Sequence, residues 1–355
     1  MSPEGKRRRL NVGLIGLGRL GRVYARDLAT RIAETRLVAV ADPVEKAVHE
    51  VAAEYDVPAS YRNAADLVAD PNVDAVVIVS PTHTHREVVL EAVSRKKATF
   101  CEKPLALSLG ECRDMQAAVE RHGAFFQMGF MRRFDPGYAA AKRQVLEGKI
   151  GKPVVFKSTS RDPFPPSLEY ANPASSGGIL VDMGIHDLDL ARWFMGDVAS
   201  VSAVGGVLAF PELATVGDID NAIATLVFES GSLGVIDLTR NGFYGYDIST
   251  ELLGTQGTIR VGYLRETPVM LMTKNCVAHD TVPYFMERFE KAYTLQLQNF
   301  AQNVLAAREP PVTITDGVEA LRVALAATEA CRTGRSVDVA RLLGSAGPAA
   351  TGAGE

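Results

Sequence analysis

The chain has 355 residues, of which 47% are hydrophobic and 23% charged, and its 38 Lys plus Arg against 42 Asp plus Glu leave a formal charge of −4. Such a length exceeds one ordinary hydrophobic core and predicts two domains of a soluble globular kind. With no long basic block in the body of the chain and no run near the roughly 20 apolar residues of a bilayer span, neither nucleic acid nor a membrane is expected as a partner.

The polar start, residues 1–9 with "KRRR" at 6–9, reads as a disordered basic leader. A signal peptide is not expected, because Arg19 and Arg22 interrupt the apolar run that follows and no small-residue cleavage site appears. Cys101, Cys112, Cys276 and Cys331 are scattered without CxxC spacing, which predicts reduced thiols in a cytoplasmic protein and no metal site.

"NVGLIGLGRLGRVYARDLATRI" passes from a strand pattern into a helical one, with Gly16, Gly18 and Gly21 at the junction in G-x-G-x-x-G spacing. These glycines suit a tight turn, close approach of backbone N–H groups to a pyrophosphate, and packing of helix on strand. A second strand, "RLVAVAD", ends at Asp42, where a carboxylate grips the adenosine ribose hydroxyls and repels a 2′-phosphate. The cofactor expected is therefore NAD, held by Gly16, Gly18, Arg19, Leu20, Gly21 and Asp42.

"DAVVIVS" (74–80), a helix over about 84–95, "ATFCEKP" and a helix over about 108–121 continue the alternation and predict a doubly wound parallel sheet. Ligands in such sheets sit beyond the carboxyl ends of strands, which adds Ser80, Pro81, Thr82 and His85, then Glu102 and Lys103, to the cofactor-binding set. His83 and His85 lack a carboxylate or cysteine cluster at ligand spacing and are not read as metal ligands.

After about residue 132 the pattern changes to strands: "PVVFKSTSRD", "SVSAVGGVLAF", "NAIATLVFE", "SLGVIDLTRN" and "YDISTELLG". They predict an α+β domain over 133–340 with a large, mostly antiparallel open sheet, following an NAD-binding Rossmann domain over 10–132. Helices are expected near 286–308 and 316–333, and the small, Gly-rich end, 341–355, reads as disordered. Within the second domain "GGILVDMGIHDLDLARWF" reads as one helix, on which Asp182, His186, Asp189 and Trp193 fall within roughly 60° at about 100° per residue. A buried histidine held by Asp182 and a pocket lining fit that stripe equally.

"GLIGLGRLG", "CEKP", "GFMRRFDPGY", the D-x-x-x-H of "VDMGIHD" and "YGYDISTELLGTQG" together resemble the Gfo/Idh/MocA oxidoreductases, and within them the inositol 2-dehydrogenases, over residues 10–335. The resemblance implies NAD-dependent oxidation of a secondary alcohol on a cyclitol, with Lys103, Asp182 and His186 at the chemistry. His186 is the expected general base, since an imidazole titrates near neutrality; Asp182 orients it, and Lys103 polarises the forming carbonyl. Asp189 is expected to bind only backbone or water. The resemblance also brings Arg132, Arg161, Asp162 and Tyr244 forward as hydrogen-bonding partners of a polyol or sugar, and predicts a homotetramer built on the open sheet. "SRDPFPPSLEYANPASSGG" reads as a flexible, proline-studded loop over the pocket. An aldose dehydrogenase, a redox-assisted NAD-dependent glycosidase and a non-catalytic NAD-binding sugar sensor are the rival readings.

Overall fold

The computed structural model describes residues 8–343, so most of the expected leader (1–9) and tail (341–355) lies outside the described residues. The described residues form two compact units, the first running to Met131 and taking in Lys291–Val318, the second holding Arg132–Glu290 and the described residues from Glu319.

In the first unit β1 (Leu10–Ile15), β2 (Thr35–Ala41), β3 (Ala59–Tyr61), β4 (Ala75–Ile78), β5 (Ala98–Glu102) and β6 (Phe126–Gly129) form one sheet in the order β3-β2-β1-β4-β5-β6. Every pairing is parallel. Strands covered on both faces are mostly apolar and buried throughout, as "AVVI" is, and "ATFCE" is equally buried although it ends on Glu102. Helices Arg19–Arg26, Glu45–Glu54, Ala64–Ala69, His85–Ser94 and Leu109–His122 make the crossovers. Two start on side-chain caps, with Asn63 accepting from the Asp66 N–H and Ser108 from the Glu111 N–H. Gly123, at φ 55°, ends the last of them in the left-handed conformation. The strand order reverses between β1 and β4, the place where doubly wound sheets open a crevice for a ligand.

The second unit carries β7 (Pro153–Arg161), β8 (Val198–Gly206), β9 (Asn221–Phe228), β10 (Leu233–Thr239), β11 (Asp247–Gly254) and β12 (Thr258–Gly262). A separate hairpin pairs β13 (Met270–Met272) with β14 (Val277–His279), and the two-residue β15 (Val337–Asp338) adds to the edge of the main sheet. The sheet order is β12-β11-β7-β10-β9-β8-β15, antiparallel except for β7 against β10. This is the mixed, mostly antiparallel sheet that the strand patterns predict. Burial alternates strictly along β9, as it must where one sheet face is covered and the other open. The open face carries exposed Val204, Ile223, Val227 and Leu233.

The stretch expected as a single helix is two: Ile179–Asp182 and Ile185–Met195. Between them the Gly184 N–H reaches back to the Ile179 carbonyl, and the Asp187 and Leu188 N–H groups start a new helix on the Gly184 carbonyl. A Cβ at Gly184 would stand 2.7 Å from the Leu180 carbonyl oxygen and 2.9 Å from Leu238, so the break needs glycine. Asp182 and His186 therefore sit on different helices, and an angular count across them does not hold.

Candidate active site

The turn after β1 is built by close approaches. Gly16 has φ +94°, and a Cβ there would lie 2.7 Å from the Ser80 nitrogen; one on Gly21 would lie 2.0 Å from the Gly16 carbonyl oxygen. A Cβ on Gly18 would meet nothing within 4 Å. Two buried glycines thus lock the turn while the third leaves an open backbone surface at the start of helix Arg19–Arg26, whose N-cap bears no side-chain hydrogen bond. Asp42, at the end of β2, accepts from the Leu17 N–H at 2.7 Å and the Val44 N–H at 2.8 Å, which fixes its carboxylate beside that turn. Arg19 is exposed and Leu20 half-buried on the same helix. This arrangement fits a dinucleotide: uncapped N–H groups for a pyrophosphate and a fixed carboxylate for ribose hydroxyls.

Beyond β4, Ser80 and Thr82 are half-buried and Pro81 exposed, with the Ser80 and Thr84 hydroxyls 2.6 Å apart. His85, expected to reach the cofactor, is 1% exposed and is used inside the unit. Its Nδ1 lies 3.0 Å from the Pro104 carbonyl oxygen and its Nε2 2.9 Å from that of Ser80, tying the turn after β4 to the turn after β5. Burial pushes the His85 pKa down against the opposing pull of these carbonyls. Glu102 is also buried: it accepts from the Tyr24 hydroxyl, from Gln296 Nε2 at 3.3 Å and from the Lys103 N–H at 3.1 Å. Desolvation raises its pKa. A Cβ on Gly129 would come within 2.9 Å of the Glu102 carboxyl, so β6 gives that carboxyl its room. Lys103, next in the chain and bonded to Pro104 through a cis peptide, is half-buried.

In the second unit the charged residues of helix Ile185–Met195 divide by partner. Asp187, 0% exposed, accepts from Arg132 Nη1 at 2.7 Å, Ser158 at 2.5 Å and Ser160 at 2.8 Å. Asp189, 1% exposed, takes a two-pronged contact from Arg133 at 2.9 and 2.5 Å, in place of the backbone or water expected. Both carboxylates are spent on anchoring the helix. His186 keeps 9% exposure, and the Asp182 side chain 15%. Asp182 accepts from the Tyr170 hydroxyl at 2.8 Å and faces Arg240 Nη2 at 3.8 Å.

The same geometry places Arg132, expected to hold substrate, at 2% exposure, bound to Asp187 and Ser160 and stacked 5.6 Å from the Phe289 ring centroid. Arg161 pairs with Asp237 and stands on the sheet face opposite Ser158 and Ser160, away from the helix carrying His186. Tyr244 donates to Asp247 at 2.9 Å. Asp162 lies just past β7, its backbone tied to Thr239 and Gly242. Of the four, Arg161 and Asp162 are half-buried and Tyr244 exposed, whereas Arg132 is buried.

Comparison with known proteins decides the family. Residues 10–130 match the model for the oxidoreductase family, NAD-binding Rossmann fold, and residues 142–339 match that for the family's C-terminal alpha/beta domain. The chain belongs to the Gfo/Idh/MocA oxidoreductase family. Family members similar to it include the scyllo-inositol 2-dehydrogenase (NAD(+)) of Bacillus subtilis, 40% identical over 92% of this chain and 95% of that protein. The myo-inositol 2-dehydrogenase of Thermotoga maritima is 40% identical over 94% of this chain and all of that protein. The crystal structure of Lactobacillus casei scyllo-inositol dehydrogenase with bound NAD(H) and scyllo-inositol has a TM-score of 0.90 at 33% identity, covering 94% of this chain and 100% of that one. Residues 10–130 of this Gfo/Idh/MocA oxidoreductase are thus its NAD-binding Rossmann fold, as the glycine spacing and Asp42 predict.

Sequence reasoning passed over Asp187, Arg133, Tyr170 and Arg240. Asp187 is next to His186 in the chain but falls off the stripe that carries Asp189, so the helical period gives it no weight. Tyr170 and Arg240 reach Asp182 from 12 residues before it and from the far end of β10, distances at which periodicity carries no signal. Among the described residues no group of three His, Cys, Asp or Glu is arranged to hold a metal, and no helix is long and apolar enough to cross a membrane.

Proposed function

We propose that this enzyme oxidises a secondary alcohol of a cyclitol, myo-inositol or a close isomer such as scyllo-inositol, to the corresponding keto-inositol. The observation that carries the reading is the sorting of the second unit's ionisable residues. Asp187 and Asp189 are enclosed by arginines at 0% and 1% exposure, whereas the Asp182 side chain, beside Arg240, keeps 15% and His186 9%. The inositol chemistry named for relatives at 40% identity over more than nine-tenths of the chain supports the substrate class.

NAD, when bound, supplies the hydride acceptor at its nicotinamide. Gly16, Gly18, Arg19, Leu20, Gly21 and Asp42 bind its phosphates and adenosine ribose, with Ser80, Pro81 and Thr82 completing that surface. His186 takes the hydroxyl proton, Asp182 orients the ring and stabilises its cationic form, and the Lys103 ammonium donates to the oxygen as it becomes a carbonyl. Asp162 and Tyr244 supply directional contacts to ring hydroxyls. A homotetramer formed over the apolar open face of Val204, Ile223, Val227 and Leu233, working in the cytoplasm with its cysteines reduced, completes the reading.

The test is NADH formation from NAD with myo-inositol, scyllo-inositol, D-chiro-inositol and common aldoses, repeated with NADP. A strong NAD-dependent rate on one cyclitol is expected. Tight NAD binding with no rate on any cyclitol contradicts the reading, and glycoside cleavage without NADH accumulation would replace it with a redox-assisted glycosidase. Sizing in solution at four times the chain mass is expected; a monomer overturns the assembly.

A further inference from the structure

We propose that Tyr170 is a positioning residue for the reaction: its hydroxyl, with the Arg240 guanidinium, holds the Asp182 carboxylate in the orientation that steers His186. The inference rests on the catalytic reading of Asp182 above and adds to it a residue from the proline-studded segment that follows β7.

Tyr170 lies on the short helix Leu168–Ala171, where Ser167 accepts from the Tyr170 N–H at 3.3 Å and Ala171 is wholly buried, so the turn is anchored although the Tyr170 ring is half-exposed. Asn172 then caps Pro173–Ser176, and the chain returns through Gly178 to the helix that ends in Asp182. From the other side Arg240, 1% exposed, sits between two carboxylates: Nη1 donates to Asp218 at 2.5 Å, and Nη2 faces Asp182 Oδ2 at 3.8 Å. Asp218 in turn accepts from the Ile179 N–H at 3.1 Å, three residues before Asp182. Tyr170, Asp182, Arg240 and Asp218 thus close a polar ring that begins and ends on the same short helix.

The two contacts on Asp182 differ in kind. At 3.8 Å the guanidinium supplies charge without a directed hydrogen bond, and Nη2 has no hydrogen-bond partner among the described residues. The phenol at 2.8 Å supplies direction. The charge of Asp182 first, and burial second, push the Tyr170 pKa well up, so the hydroxyl stays a donor throughout any working pH. A carboxylate held on one oxygen by the phenol and faced on the other by a cation loses the freedom to swing about its terminal torsion, and that freedom would cost alignment of the imidazole it serves.

Steady-state kinetics of the full chain with NAD and myo-inositol, for Tyr170→Phe, Asp182→Asn and the double variant, test this. The expected result is a loss of about tenfold in kcat for Tyr170→Phe with NAD affinity unchanged, shrinking to less than twofold in the Asp182→Asn background. A merely structural tyrosine would lower kcat by the same factor in both backgrounds, and that additivity overturns the inference. So does a Tyr170→Phe enzyme equal to wild type beside a slow Asp182→Asn, which leaves the catalytic reading standing. Wild-type kcat in Asp182→Asn overturns the catalytic reading itself.

Discussion

The turn Gly16–Gly21 and the helix Ile185–Met195 both open on glycine, yet they encode their work differently. In the turn the task belongs to the backbone. Gly16 and Gly21 are fixed by contacts within a few residues of themselves and of β4, so the spacing of three glycines and one aspartate suffices to read it. In the helix the task belongs to side chains whose fates are set from afar: Asp187 by Arg132, Ser158 and Ser160, and Asp189 by Arg133. Backbone sites are legible from short motifs; side-chain sites are legible only once partners are known.

That contrast can be broken at three points. The largest effect is expected for Asp187→Ala, which leaves the Arg132 guanidinium buried and unpaired and costs about 3–5 kcal/mol of stability, read by chemical denaturation. A loss below about 1 kcal/mol would mean that the pair does not anchor the helix. Next is Gly21→Ala, whose Cβ would lie 2.0 Å from the Gly16 carbonyl oxygen: a loss of about 1–3 kcal/mol and weakened NAD binding by calorimetry are expected. Unchanged NAD affinity would separate the turn's geometry from its ligand.

The smallest effect concerns His85. Its folded pKa is pushed down by burial, so below the ordinary imidazole value of about 6.5 the unfolded chain takes a proton that the folded chain refuses. This share of stability is present above about pH 6.5 and is lost as pH falls toward the lowered folded value. Melting temperature followed over that window should fall in the wild type and fall less in His85→Gln; parallel curves would reassign the acid sensitivity.

Much of the fold was readable because the long elements carry their own period. Buried parallel strands showed as apolar runs and the open-sheet strands as alternation. The pieces that escaped are short or depend on remote packing. β3 and the strands of the β13–β14 hairpin have three residues each and β6 four, too few for a period to show. The helix break at Gly184 escaped because one glycine inside a helical pattern is tolerated elsewhere; only the approach of Leu180 and Leu238 makes it decisive. The surroundings of Arg132 are likewise set by remote partners. A polar, fork-shaped donor suits a polyol and a buried aspartate equally, and the difference lies in β7 and Phe289.

In the proposed chemistry His186 moves the proton while its acidic neighbours on the helix only hold it in place. The most direct measurement is the pH dependence of kcat/KM for cyclitol oxidation in wild type and His186→Ala, with NAD affinity measured alongside. The account predicts a wild-type rate that rises through one ionisation, and a variant slower by about 10²–10⁴-fold, without that ionisation, binding NAD as before. A variant that keeps the wild-type profile would contradict it.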